Sequence, residues 1–401
     1  MLKKILVIED HPFQRVVLLT LLEQFENISV TSVGCANDAL VHLGNERPDM
    51  IICDLNMPMV DGITLLRLLA ESGYDGEVVI SSAVEKMVLK AAARMCEAYN
   101  MNLRGSISKP MTHSKLASVL LQSDKPKKNI SVVEPTISDE DIMMGFKRKE
   151  FIAYYQPIVQ LPTGQWSDCE ALVRWQHPQY GLLSPIWFLE RITQLGLTSE
   201  LSKLMLDNVI KELPKLCGTL VSVNISAQDL MNEEFVESVI ELARKKPSLS
   251  KRIRFELTES EVIEHLGYTL SSAVRLCLVG FSFSVDDFGT GYSSFKLLDD
   301  MPFDKIKIDQ SFIKNMLQSG TALSIVETSL FLAKKLNMQT VSEGIESKAE
   351  WDKLRQLCGG FGQGYFIARP MPVDQLAEWH AGWRVRMMTE KLVVDLHQPW
   401  I

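Results

Sequence analysis

The chain predicts two successive α/β domains: a doubly wound (βα)5 sheet first, then a (β/α)8-type, TIM-like barrel. Three observations carry this. Residues 1–121 alternate between short apolar runs of strand character and segments of helical spacing. The alternation lapses over Gln122–Pro135, which holds two prolines and three lysines and lacks sustained helical periodicity. It resumes from Phe151 with a longer series of short apolar runs, each associated with a polar group.

In the first domain the strand-like runs are Lys4–Ile8, Ile28–Val33, Met50–Cys53, Val78–Ile80 and Gly105–Ile107. Helical spacing occupies Pro12–Gln24, Ala36–Leu43, Ile63–Glu71, Val84–Tyr99 and Thr112–Leu121. Residues 122–142 read as a linker, although Ser138 ahead of Asp139, Glu140 and Asp141 is a good helix N-cap with acids in the first turn. The barrel is expected over residues 143–395, with helices such as Glu190–Leu213, Glu234–Lys246 and Leu323–Leu336 between its strands.

Bulk properties narrow the class of function. Of 401 residues, 46% are hydrophobic and 23% charged, the balance of an ordinary globular protein. A net charge of -8 gives no electrostatic footprint for nucleic acid, and once the barrel is assigned no basic recognition helix is left over, so direct DNA binding is not expected. No stretch approaches the ~18 uninterrupted apolar residues of a membrane span, and the N-terminus MLKKILVIED reads as a strand rather than a signal peptide. The seven cysteines form no C-x-x-C pair and mostly lie in apolar runs. Buried reduced thiols in a cytoplasmic protein are the expectation.

Doubly wound sheets place their active groups at the carboxyl ends of strands. In the first domain those positions hold Glu9 and Asp10, Asp54, Ser81 and Ser82, and Lys109. Three carboxylates at one sheet edge repel one another unless a divalent cation lies between them, and an all-oxygen set suits Mg2+. An aspartate beside such an ion can attack a phosphoryl donor, and a hydroxyl and a lysine nearby can sense the product. With the run DLNMPMVDG and the Lys109-Pro110 pair, these residues resemble a response-regulator receiver domain. The resemblance implies Asp54 as phospho-acceptor, Glu9, Asp10 and Asp54 around one Mg2+, and Lys109 as the phosphate-binding lysine. It implies Ser82, which directly precedes Ala83, as the switch hydroxyl. A cognate sensor histidine kinase is the implied partner. Receivers commonly carry an aromatic three residues before the lysine; here that position is Ser106.

The larger half gathers a second set. Glu170 stands in DCEALVRW, Asn224 ends LVSVN, Glu256 and Glu259 lie in RFELTES, and Asp286 and Asp287 end FSFSVDD. Lys307 lies in DKIKID, Glu343 ends MQTVSE, and Gln363 precedes GYF. Glu170, Glu256, Asp286, Asp287 and Glu343 would bring five carboxylates together at the barrel mouth, with Lys307 and Arg174 as nearby cations. Five such groups cannot all ionise without metal. Carboxylate and amide oxygens select Mg2+ or Mn2+ over zinc, and two such ions form the standard clamp for attack on a phosphodiester.

These motifs resemble the EAL-domain family of cyclic di-GMP phosphodiesterases, with Glu170-Ala171-Leu172 as the eponymous triplet and the likeness running from about Phe146 to Met371. The resemblance implies hydrolysis of cyclic di-GMP to linear 5'-pGpG by two ions, adjusted by phosphorylation of Asp54. Carried over residue by residue, it implies Glu170, Asn224, Glu256 and Asp286 as ligands of one ion. Asp286 would bridge to the second, with Asp287 and Gln363 contributing there. Lys307 would hold the attacking water or a ligand carboxylate, and Glu343 would be the general base. Gln156 and Arg174 would meet the substrate phosphate or guanine. Glu259 would anchor the loop FGTGYSS after Asp287 through Thr290 or nearby backbone. Family members commonly pair their barrels near that loop, so a homo-oligomer is implied. His177 is expected to order a loop and the tryptophans to be core; the tail Thr389–Ile401 falls outside the barrel pattern.

Overall fold

The computed structural model describes residues 3–25, 27–82, 86–99, 101–120, 135–216, 218–264, 266–290, 294–390 and 392. Leu121, most of the expected linker (122–134), part of the loop after Asp287 (291–293), the tail beyond 392, and Cys217, His265, His397 and Trp400 lie outside them. The chain forms two compact units, Met1–Val132 and Val133–Ile401.

The first unit has strands β1 (Lys3–Ile8), β2 (Ile28–Val33), β3 (Met50–Asp54), β4 (Glu77–Ser82) and β5 (Asn102–Ser108), in the order β2-β1-β3-β4-β5. All neighbouring pairs run parallel. Helices α1 (Pro12–Leu22), α2 (Ala36–Asn45), α3 (Gly62–Glu71), α4 (Lys86–Ala98) and α5 (His113–Leu120) connect them. Successive strand residues point to opposite faces, and the core divides accordingly. Leu6, Ile8, Ile51 and Cys53 pack with Leu65, Leu66 and Leu69 of α3. Ile5, Val7, Met50 and Ile52 pack with Leu18 and Leu22 of α1 and Leu116 of α5. Burial on both faces explains why β1 and β3 read as unbroken apolar runs.

The second unit opens with α6 (Asp139–Arg148), held by a reciprocal capping box between Ser138 and Asp141. This helix crosses the boundary expected at residue 143, and its Ile142 is buried in the barrel's own core. The strands are β6 (Phe151–Gln160), β7 (Trp166–His177), β8 (Gly181–Leu183), β9 (Leu220–Asn224), β10 (Ile253–Thr258), β11 (Ser282–Phe288), β12 (Phe303–Ile308), β13 (Gln339–Ser342) and β14 (Phe361–Gly362). From β7 through β9 to β14 the neighbours are parallel, and β6 closes the ring antiparallel to both β14 and β7. The eight-stranded barrel therefore has one reversed strand. The reason is local: a turn around Gly164, whose φ is 67°, joins β6 to β7. A parallel crossover needs about a dozen residues, which this connection lacks.

The single helix expected over Glu190–Leu213 is two, Leu189–Gln194 and Thr198–Glu212. Gly196, at φ 70°, ends the first, with its N–H on Thr193 O and that of Leu197 on Ile192 O. Glu233–Lys245 and Gly320–Lys335 form near their expected places. Cys53, Cys96 and Cys169 are buried free thiols, whereas Cys358 departs from expectation by being exposed. Trp175, Trp351 and Trp383 are core, but Trp187 is substantially exposed. Among the described residues no helix is long and apolar enough to cross a membrane.

Candidate functional site

In the first unit the carboxyl ends of β1, β3 and β5, with β4 lying between the last two, bring their following groups together. The Lys109 ammonium lies 2.6 Å from Asp54 Oδ2 and 2.8 Å from Glu9 Oε2. Glu9, Asp54 and Ser82 are buried. Burial would lower Lys109, but its hydrogen bonds to Asp54 and Glu9 outweigh that and raise it. Glu9 is raised, chiefly by burial and against the pull of Lys109. One oxygen from each of Glu9, Asp10 and Asp54 falls within 4.8 Å of the others, a set able to hold a cation. Ser82 closes β4, its carbonyl accepting from Lys109 N at 2.9 Å. Ser106 is exposed on β5.

In the second unit a buried ammonium organises the barrel mouth. Lys307 Nζ lies 2.7 Å from Glu256 Oε2, 2.7 Å from Glu343 Oε1, 3.1 Å from Asp286 Oδ1 and 3.2 Å from Glu170 Oε2. Glu170 accepts further bonds from Asn224 Nδ2 at 2.7 Å and Gln363 Nε2 at 2.7 Å. Those contacts and Lys307 outweigh burial and lower its pKa. Burial dominates for Glu256, pushed up to about 7 against Lys307's pull, and for Glu343, held well above the carboxylate range. Asp286 and Asp287 are raised for the same reason.

Adjacent residues of a regular strand face opposite ways, yet Asp286, Asp287 and Glu343 present oxygens within 4.8 Å of one another. A register shift in β11 between Val285 and Phe288, with Asp287 at φ 54°, turns both aspartates to the mouth. A second group, Glu170, Glu256 and Asp286, meets the same criterion. Asp286 belongs to both. Beyond β11, Glu259 Oε2 accepts from Gly289 N at 3.3 Å, and Thr290 Oγ1 donates to Asp287 O at 2.8 Å.

A cavity of about 280 Å³ lies over this arrangement, walled by Gln156, Glu170, Asp286, Lys307, Glu343 and Gln363 among others. Asn224 and Glu256 border a second cavity of about 320 Å³ whose walls are mainly apolar, including Leu172, Leu189, Met205 and Val223. Gln363 and Arg174 are both engaged with neighbouring groups of the chain. Gln363 lies beside Glu170 and Gln156, donating to Gln156 Oε1 at 3.0 Å as well as to Glu170. Arg174 is not in the wall of the first cavity; it donates to Val173 O at 2.7 Å and sits 5.9 Å from the Tyr154 ring centroid. His177 orders its loop, its Nδ1 accepting from Gln179 N and Tyr180 N. Sequence reasoning missed Ser284, which donates to Glu256 Oε1 at 3.1 Å, and Lys314, Glu346 and Tyr365 in the cavity wall. Ser284 could have been found from its place two residues before Asp286 on the same strand face.

The donor set fits divalent cations. Gln363 Oε1 is buried without a hydrogen-bond partner. Glu256 Oε2 also lacks one in hydrogen-bond geometry, although Lys307 is close. Buried acceptors are rarely left so, and carboxylate and amide oxygens are the ligands hard cations take.

Residues 139–370 match the EAL domain family and residues 5–121 the response regulator receiver domain family. Over 389 residues the chain is 31% identical to the cyclic di-GMP phosphodiesterase RocR of Pseudomonas aeruginosa, covering 94% of this chain and 98% of that protein. It is 27% identical over 378 residues to the cyclic di-GMP phosphodiesterase PdeR of Escherichia coli, covering 86% of this chain and 57% of the longer relative. Among solved structures, the PaMucR phosphodiesterase in complex with c-di-GMP superposes with a TM-score of 0.56 at 32% identity, over 59% of this chain and 98% of that one.

Proposed function

Because the chain belongs to the EAL domain family and carries an N-terminal response regulator receiver domain, we propose that its barrel hydrolyses cyclic di-GMP to linear 5'-pGpG. The observation that carries this reading is the pair of carboxylate groups sharing Asp286, one formed with Glu170 and Glu256, the other with Asp287 and Glu343. Two cation positions joined by a common ligand are what attack on a phosphodiester needs. Glu170, Asn224, Glu256 and Asp286 would hold one ion and Asp286 with Asp287 the other, while the unpartnered oxygen of Gln363 adds a donor on the Glu170 side.

Mg2+ or Mn2+, when bound, supplies charge neutralisation at the phosphoryl oxygens and makes water a better nucleophile. The protein's own groups do the rest. Glu343 takes the proton of the attacking water; its place in the cavity wall, with Lys307 at one of its oxygens, suits a base. Lys307 holds Glu343 at 2.7 Å from Oε1 and so fixes the carboxylate's position. Asn224 and Gln363 fix the two oxygens of Glu170. The mainly apolar cavity beside Asn224 and Glu256 offers a wall for a nucleobase.

The receiver unit takes a phosphoryl group on Asp54 from a sensor histidine kinase, with Glu9 and Asp10 holding one Mg2+ and Lys109 and Ser82 contacting the product. Phosphorylation then adjusts hydrolysis, and the barrels act as a homo-oligomer. The test is formation of pGpG by the full-length chain with Mg2+ or Mn2+, followed chromatographically with and without a phosphoryl mimic. Binding of cyclic di-GMP with no pGpG would replace an enzyme with a nucleotide sensor.

A further inference from the structure

Beneath the carboxylate cluster lies a second layer of charge that the proposed reaction does not use. Asp168, Arg254 and Lys305 stand two residues before Glu170, Glu256 and Lys307 on β7, β10 and β12. Residues two apart on a strand face the same way, so both layers point into the barrel. Lys305 is 0% exposed, Arg254 4% and Asp168 8%. The Lys305 ammonium pairs with Asp168 Oδ2 and lies 4.6 Å from the Phe361 ring centroid. Arg254 Nη1 comes within 3.7 Å of the same oxygen, while Asp304 holds its Nε and Nη2 at 3.1 and 2.9 Å.

Barrel interiors of this class are ordinarily packed with Val, Ile and Leu. Buried ion pairs are often less stabilising than apolar residues of the same volume, so fold stability alone is a poor reason for this layer. Position supplies a better one. A two-residue step along a strand is about 6.6 Å, a distance a lysine side chain spans. Deprived of Asp168, the Lys305 ammonium would find the next buried anions one step up, at Glu170 and Glu256. There it would compete with any cation for the same oxygens. Arg254 is less free to make that move, because Asp304 grips it separately.

We infer that Asp168 is a positioning residue: it holds Lys305 one layer below the cluster and so keeps Glu170 and Glu256 open to divalent cations. The inference rests on the reading of that cluster as a metal site.

The test is Mn2+ binding to the chain carrying Asp10→Asn and Asp54→Asn, which removes two of the three receiver ligands, without nucleotide and by calorimetry, with thermal unfolding measured alongside. Asp168→Asn keeps the shape and removes the charge; it should weaken Mn2+ binding roughly 10–100-fold. Adding Lys305→Met should restore the affinity of Lys305→Met alone, a rescue that a merely structural Asp168 would not show. Unchanged Mn2+ binding in Asp168→Asn overturns the inference and leaves the metal reading standing. A double variant weaker than Lys305→Met also overturns it. That same comparison decides the matter if Asp168→Asn alone does not fold. A parent protein that binds no Mn2+ overturns both.

Discussion

Lys307 and Glu343 meet at 2.7 Å between neighbouring strands β12 and β13, and the same ammonium touches carboxylates from β7, β10 and β11. Burial alone would lower Lys307, but these four anions raise it well above the ordinary lysine value. Glu170, by contrast, has both oxygens engaged by side-chain amides, Oε1 by Asn224 and Oε2 by Gln363.

Glu343→Gln keeps that shape and loses the ability to take a proton. Turnover to pGpG should fall by about 10²–10⁴-fold, while calorimetric binding of cyclic di-GMP persists. Equal loss of both would assign Glu343 to holding metal rather than moving a proton.

Metal-free stability should depend on pH in a defined direction. Glu256 titrates at about 7 in the fold and near 4.5 as an ordinary glutamate. Between those values the folded protein keeps a proton that the unfolded chain has released, so stability falls as pH rises. The contribution is complete below about 4.5 and gone above about 7. Asp286, Asp287 and Glu343 share this direction; Glu170, lowered, opposes it. In EDTA the barrel should therefore melt at a lower temperature near pH 8 than near pH 5, and Mn2+ should remove most of the difference. A flat profile in EDTA would contradict the buried, cation-free cluster.

Gly364 follows Gln363 at φ 156°, and a Cβ there would come within 2.2 Å of Ile345 O. Gly364→Ala should cost at least about 1–3 kcal/mol from backbone strain. It should also displace Gln363 from Glu170, lowering Mn2+ affinity. Denaturant unfolding and Mn2+ titration of the variant measure the two effects; parent-like values in both would show that the close approach relaxes freely.

Asp54→Asn removes the phospho-acceptor but leaves every barrel residue in place. Basal pGpG formation should persist and the response to a phosphoryl mimic should disappear. Loss of basal activity instead would make the receiver a structural requirement of the barrel.

Much of this protein was legible along the chain. The strand runs of the first unit agree with the observed strands to within a few residues, because period 2 and period 3.6 are local properties that burial on known faces imposes. The acidic residues of both sites were visible for a related reason: an ionisable group closing an apolar strand has few purely structural uses. Lys305, Asp168 and Arg254 escaped attention although each stands two residues from a recognised one. Their pairing joins residues more than a hundred positions apart, Asp168 to Lys305, and no periodicity reports it.

By itself, then, the sequence determined the succession of elements, the two-part architecture and the chemistry available at each strand end. Tertiary structure alone decided that β6 runs backwards to close the barrel, because a short turn cannot make a parallel crossover. It decided that a shift in β11 turns Asp286 and Asp287 to the same side, that Gln363 serves Glu170, and that Lys307 stands among four carboxylates. Those outcomes depend on register and closure between distant strands, where a step of one residue reverses which side chain faces inward.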